Sequence, residues 1–279
     1  MSRPISYFET RQRATPDWII PGLLKRRNTL LMVGEPKRAI KSWLMLNLAW
    51  DLAEGKPVWG ITHSKSGHIF VPTRPLRVMY FTQEDTEDDL HDRIDVMVKG
   101  GRTYTSNLWY SAKNLALCFD NADGVKGIKD AILEATPVDL VIFDTLRRMH
   151  YQSENDSDNI AKMWRIIDHL QKEFDCSTIL VHHLVKPSKD PHSLFDPSSP
   201  HSARGSGDLF GGADAFINVV PINQRGANQN SRLVTLHFEN KRSKPLVPTK
   251  LRFSFENGVV SFEGFAVGKV DDSEGTPHM

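Results

Sequence analysis

Residues 29–53 read TLLMVGEPKRAIKSWLMLNLAWDLA, and this stretch decides the fold. It opens with a short apolar run, TLLMV, of the length and composition of a buried strand. A polar loop, GEPKRAIKSW, follows over residues 34–43. Residues 42–53 then carry apolar side chains densely enough for a buried helix, which Gly55 and Pro57 are placed to end.

A strand, a loop and the first turn of a helix, in that order, present backbone N–H groups and a helix N-terminus to an anion. The loop Gly34, Glu35, Pro36, Lys37, Arg38, Ala39, Ile40, Lys41, Ser42, Trp43 begins and ends like a phosphate-binding P-loop, whose usual form is G-x-x-x-x-G-K-[ST]. Lys41 would reach phosphates, and the Ser42 hydroxyl would meet Mg²⁺. The middle departs from that form. Counted from Gly34, one residue too many precedes Lys41; counted back from Lys41, Glu35 takes the first glycine position and Ile40 the last. Isoleucine resists positive φ, so the turn is expected to use an ordinary backbone region at Ile40. A plain helix N-terminus with a basic first turn is the competing reading.

Composition narrows the classes. The chain has 279 residues, 39% hydrophobic and 25% charged, a globular balance large enough for one α/β domain or two small ones. Its formal net charge of +1 provides no global field for nucleic acid, so such binding would need a local patch or a channel built by several subunits. Cys118 and Cys176 follow no metal spacing and suit packed thiols in a reduced cytoplasm. No apolar run approaches a membrane span, and MSRPISYFETRQRATPDW has no apolar signal centre.

Further strands are expected at 77–82 (RVMYFT), 139–143 (DLVIF) and 177–181 (STILV). Between them lie a helix starting at Asp85 or Thr86 and ending on Gly100, and an amphipathic helix marked by Ile160, Met163, Trp164, Ile167, Leu170 and Phe174. That alternation argues for a mainly parallel twisted sheet flanked by helices. AFINVV, RLVTLHFEN, TKLRFSF and VVSFEG read as antiparallel strands at its C-terminal edge. An N-terminal arm over 1–16, one domain over 17–268 and a disordered tail over 269–279 complete the expectation. Two polar loops stand out, 150–159 and the proline-rich 186–202.

Chemistry-bearing residues fall at strand ends. Asp144 closes the apolar run DLVIF and could hold Mg²⁺, or merely cap a turn. Glu84 follows RVMYFTQ and could activate water, or be one more solvated acid in QEDTEDD. His182 and His183 end STILV; neighbours on a strand face opposite ways, which makes them a poor chelating pair but lets one face a γ-phosphate.

Taken together these stretches resemble a family. DWIIPGLLKRRNTLLMVGEPKRAIKSWLMLNLA, FTQEDTEDDLHDRI, VIFDTLRRMHYQSEND, CSTILVHHLVKPS and SARGS are similar to the RecA-like AAA-type ATPases close to RepA, the hexameric replicative helicase of IncQ plasmids. The resemblance covers residues 17–265. It implies ATP and Mg²⁺ as cofactors, Lys41 and Ser42 as phosphate and Mg²⁺ contacts, Glu84 as catalytic glutamate, Asp144 as the Mg²⁺-associated acid and His183 as γ-phosphate sensor. It further implies single-stranded DNA as partner, a homo-oligomeric and hexameric ring, and a replication initiator or primase beside it. Loops 150–159 and 186–202, with Lys186 and Lys189, would face the channel. The family's arginine finger falls on Asp214 here. Arg204 lies nearby without an assigned role. HFENKRSKP resembles the basic strand-end motif of DnaB-like helicases and makes Lys241 and Arg242 candidates for trans action, or an exposed basic turn.

Three functions compete: a ring-shaped DNA motor, a DNA-stimulated ATPase or switch in recombination or repair, and a scaffold whose site has decayed. Ile40 supports the third; the retained set Lys41, Ser42, Glu84, Asp144 and His183 argues against it.

Overall fold

A computed structural model describes residues 5–8, 15–36, 40–61, 70–150, 156–184, 196–199, 207–222, 230–241 and 246–266. Most of the N-terminal arm, the tail beyond residue 266, most of the two polar loops, and Lys37, Arg38, Ala39, Lys186, Lys189, Arg204 and Arg242 lie outside the described residues.

A small antiparallel ribbon, β1 (Trp18–Ile20) and β2 (Leu24–Lys25), precedes the main sheet. The loop-bearing strand is β3 (Thr29–Gly34), buried throughout, and α1 (Lys41–Glu54) follows it. Gly55 closes α1 with a left-handed φ of 72°, returning N–H bonds to Asp51 and Leu52 carbonyls. Next come β4 (Val78–Thr82) and α2 (Glu87–Lys99), the latter opened by a Thr86/Asp89 capping box. β5 (Leu108–Ser111), α3 (Ala122–Glu134), β6 (Leu140–Asp144), α4 (Ser157–Phe174) and β7 (Ser177–His183) continue the alternation. After α5 (Gly207–Gly212) come β8 (Ala215–Ile222), β9 (Ser231–Asn240), β10 (Thr249–Glu256) and β11 (Val259–Ala266).

Among the described residues the main sheet runs β11-β10-β9-β8-β3-β7-β6-β4-β5. The expected mainly parallel sheet with antiparallel strands at its C-terminal edge is present, with one difference in detail. β8 pairs parallel with β3 and antiparallel with β9, so antiparallel pairing begins only at β9. β5, α3 and the β1–β2 ribbon were not anticipated. β5 reads LWYS with both aromatics exposed, so it lacks the buried apolar run that marks its neighbours.

Period-two alternation divides the core between the two faces. Leu30, Met32, Val78, Tyr80, Leu140, Ile142, Ile179 and Val181 face α1; Leu31, Val33, Met79, Phe81, Val141, Phe143 and Leu180 face α3 and α4. The same parity carries Asp144 and His183 onto the α1 side, where Lys41 begins its helix. His182 points the other way and is fully buried. Cys118 and Cys176 are free and buried, and burial pushes the Cys176 thiol up to about 12.

Candidate functional site

Strand register assembles the site. Gly34 is level with His183, and Thr82 with Asp144, so the C-terminal ends of β3, β7, β6 and β4 form one ledge beside the start of α1. A cleft of about 550 Å³ opens on that ledge. Its lining includes Ile40, Lys41, Ser42, Trp43, Glu84, Thr145 and His183, which are residues of the loop and of three strand ends.

Lys41 is 6% exposed, and its Nζ donates to the Gly34 carbonyl at 2.9 Å and the Glu35 carbonyl at 3.1 Å. Burial lowers its pKa to about 8, against the raising effect of Asp144, Glu84 and Glu35. Asp144 is 2% exposed. Burial raises its carboxyl to about 6; the Tyr80 and Ser42 hydroxyls pull it down, and Glu84 and Asp85 push it up. Tyr80 Oη donates to Asp144 Oδ2 at 2.5 Å, whereas Oδ1 is buried without a hydrogen-bond partner. Glu84 is exposed at the cleft, its Oε1 accepting from Thr145 Oγ1 at 3.1 Å. Gln83 N–H bonds the Asp144 carbonyl at 2.8 Å, tying the two acidic strand ends together.

The orphaned Asp144 Oδ1 and the Ser42 hydroxyl fit Mg²⁺, a hard cation that takes one or two protein oxygens and completes its shell with phosphate and water. Among the described residues no group of three or more His, Cys, Asp or Glu could hold a metal ion.

Ile40 overturns the expectation of an ordinary backbone there. It sits at φ 45°, ψ 30°, the left-handed region, as the residue before α1. Its side chain packs against two core clusters, one of them holding Leu46, Trp50 and Met97, and this contact offsets a conformational cost of about 1–2 kcal/mol. Thus Ile40 itself holds the backbone conformation a glycine would supply. Ile40→Gly should therefore be more stable than Ile40→Ala by about 1 kcal/mol in urea unfolding. An alanine variant as stable as the glycine one would show that the turn is not left-handed.

The chain matches the family model described as AAA domain over residues 4–189. The chain belongs to this AAA domain family. A crystal structure of a KaiC-like protein from the hyperthermophilic archaeon Pyrococcus horikoshii is similar in fold, with a TM-score of 0.56 over 88% of this chain and 93% of that one, at 12% identity. That likeness is one of fold.

Some cleft residues were not anticipated. Arg93 of α2 enters it, bound to Asp85 at 2.9 Å and stacked 5.2 Å over the Trp43 ring. From the C-terminal strands come Asn230, Arg232, Phe253 and Phe255. The interruption of the stripe Leu90, Ile94, Met97 by Arg93 is a signal the sequence did carry. Lys241 is remote from the cleft. Asn240 is level with Ala215 and so with Leu30, and Lys241 Nζ donates to the Phe210 and Gly211 carbonyls at 2.9 Å, over the Phe210 ring. Asp214, where the resemblance to RepA would put an arginine finger, holds the start of β3 through Thr29 N–H at 3.1 Å.

Proposed function

We propose that this AAA domain is a Mg²⁺-dependent ATPase motor acting on single-stranded DNA, close to RepA and working as a hexameric replicative helicase. The observation that carries the ATPase reading is the convergence of Lys41, Ser42, Glu84, Thr145 and His183 on one cleft, with Asp144 directly behind. Lys41 exchanges its carbonyl partners for phosphate oxygens when nucleotide enters. Glu84, held by Thr145, orients and deprotonates the attacking water. His183 contacts the γ-phosphate. Asp144 and Ser42 would hold Mg²⁺, which supplies charge neutralisation for the phosphates. Lys241 and Arg242 serve a neighbouring subunit, and Arg204 lies on the same segment as the family's RGS.

The DNA part of the reading is supported by the resemblance of FDTLRR, LVHH and SARGS. A ring also reconciles a net charge of +1 with DNA binding, because a few lysines per subunit, Lys186 and Lys189 among them, add up in one channel. A replication initiator or primase would load it. No helix among the described residues is long and apolar enough to cross a membrane.

Steady-state ATP hydrolysis with Mg²⁺, with and without single-stranded DNA, followed by strand displacement on a forked duplex, tests the proposal. Turnover that rises several-fold with DNA and drives displacement is expected. Stimulated turnover without displacement would move the chain to the non-unwinding ATPases. No turnover under either condition would favour the scaffold reading.

A further inference from the structure

Arg232 enters the nucleotide cleft from β9, yet none of the roles derived above uses it. We propose that Arg232 binds the phosphate chain of a nucleoside triphosphate held in its own subunit, an assignment that rests on the nucleotide-site reading above.

The register gives its position. Gly34 is level with Val219 and Val219 with Leu236, and β9 runs antiparallel, so Arg232 lies four residues, about 13 Å, beyond Gly34 on the loop side of the sheet. It therefore overhangs the ledge on which Lys41 and Glu84 sit. Opposite it on β10 is Phe253, whose ring packs 5.8 Å from Trp43 of the loop. Residues directly across an antiparallel pair share a face, so this packing turns the Arg232 side of β9 towards α1.

Charge accounting favours phosphate as its partner. Lys41 is already surrounded by Asp144, Glu84 and Glu35, and Arg93 is bound to Asp85 and stacked on Trp43. Arg232 is exposed and makes no ion pair with any described residue. An incoming polyanion thus meets one lining guanidinium whose charge no carboxylate has taken up, and a guanidinium fork matches two phosphate oxygens. Lys241 follows the other end of the same strand, about 30 Å away. A straight strand would then join a subunit's own phosphates to its candidate contact with a neighbour.

Equilibrium binding of ATP, ADP and AMP, each with Mg²⁺, to the full chain and to Arg232→Ala and Arg232→Lys tests this by calorimetry. Arg232→Ala should weaken ATP about tenfold and leave AMP within about twofold, with Arg232→Lys recovering only the part of the loss that charge alone supplies. Melting temperatures without nucleotide should match wild type for both variants, since the side chain is exposed and unpaired. Wild-type ATP affinity in Arg232→Ala, or an equal loss for AMP, would overturn the assignment while leaving the nucleotide site intact. A wild-type chain that binds no nucleotide would overturn the underlying reading as well.

Discussion

Glu84→Gln is expected to retain bound nucleotide and to lose turnover. Glu84 is exposed to the cleft and holds its carboxylate through the Thr145 hydroxyl, a bond whose acceptor oxygen glutamine keeps. The substitution therefore preserves shape and removes only the ability to take a proton. General-base loss of this kind costs about 10²–10⁴ in rate. Binding interactions shared by ground and transition states are untouched, so ATP affinity should stay within about threefold. Single-turnover hydrolysis beside calorimetric binding separates the two quantities. A variant that turns over within about threefold of wild type would remove Glu84 from the chemistry and leave it a solvated acid.

Lys41→Met should do the reverse, with a signature in stability as well. Losing the charge proposed to meet the phosphates should weaken ATP by about 10²-fold or more, by analogy with other preorganised donors. The nucleotide-free fold should not suffer. The folded pKa of Lys41, about 8, lies below its ordinary 10.5, so burying the charged form costs stability at neutral pH. That cost is fully present below pH 8 and fades as pH rises from about 8 to about 10.5. Methionine fills the same space without a charge. Thermal melts at pH 7 should therefore show Lys41→Met at or above the wild-type midpoint, yet with no upward shift on adding MgATP. A variant that melts lower and still gains stability from MgATP would make Lys41 a structural helix start.

Much of this site was legible in the sequence because its residues end buried strands. Asp144 and His183 terminate apolar runs whose alternation also fixes which face they take, and Glu84 follows another such run. The Thr86 cap and the Gly55 stop of the neighbouring helices were readable for a similar reason: local chemistry decides them. Ile40 was not. Its intrinsic preference opposes the left-handed backbone, and its packing against Trp50, Leu46 and their neighbours explains how it holds that conformation. Arg232, Phe253 and Phe255 are not legible in the sequence, because they reach the cleft through tertiary folding of the C-terminal strands. Alternation assigns such side chains a face but says nothing of what that face will meet. Asp214, where the resemblance would put an arginine, is committed to β3.

The alternation that sorts core residues between two faces also governs which changes of length the chain can survive. Asp144 and His183 reach the cleft by the same parity that sends Ile142 and Val181 towards α1. One residue inserted into β6 or β7 would exchange the faces of every position on one side of it, emptying the cleft and disordering the core together. Two residues would restore the faces and merely displace the ledge. Within these strands, then, drift can proceed by substitution while single-residue insertions and deletions are closed to it. Length variation is left to the connecting segments, which can diverge without disturbing the ledge beneath.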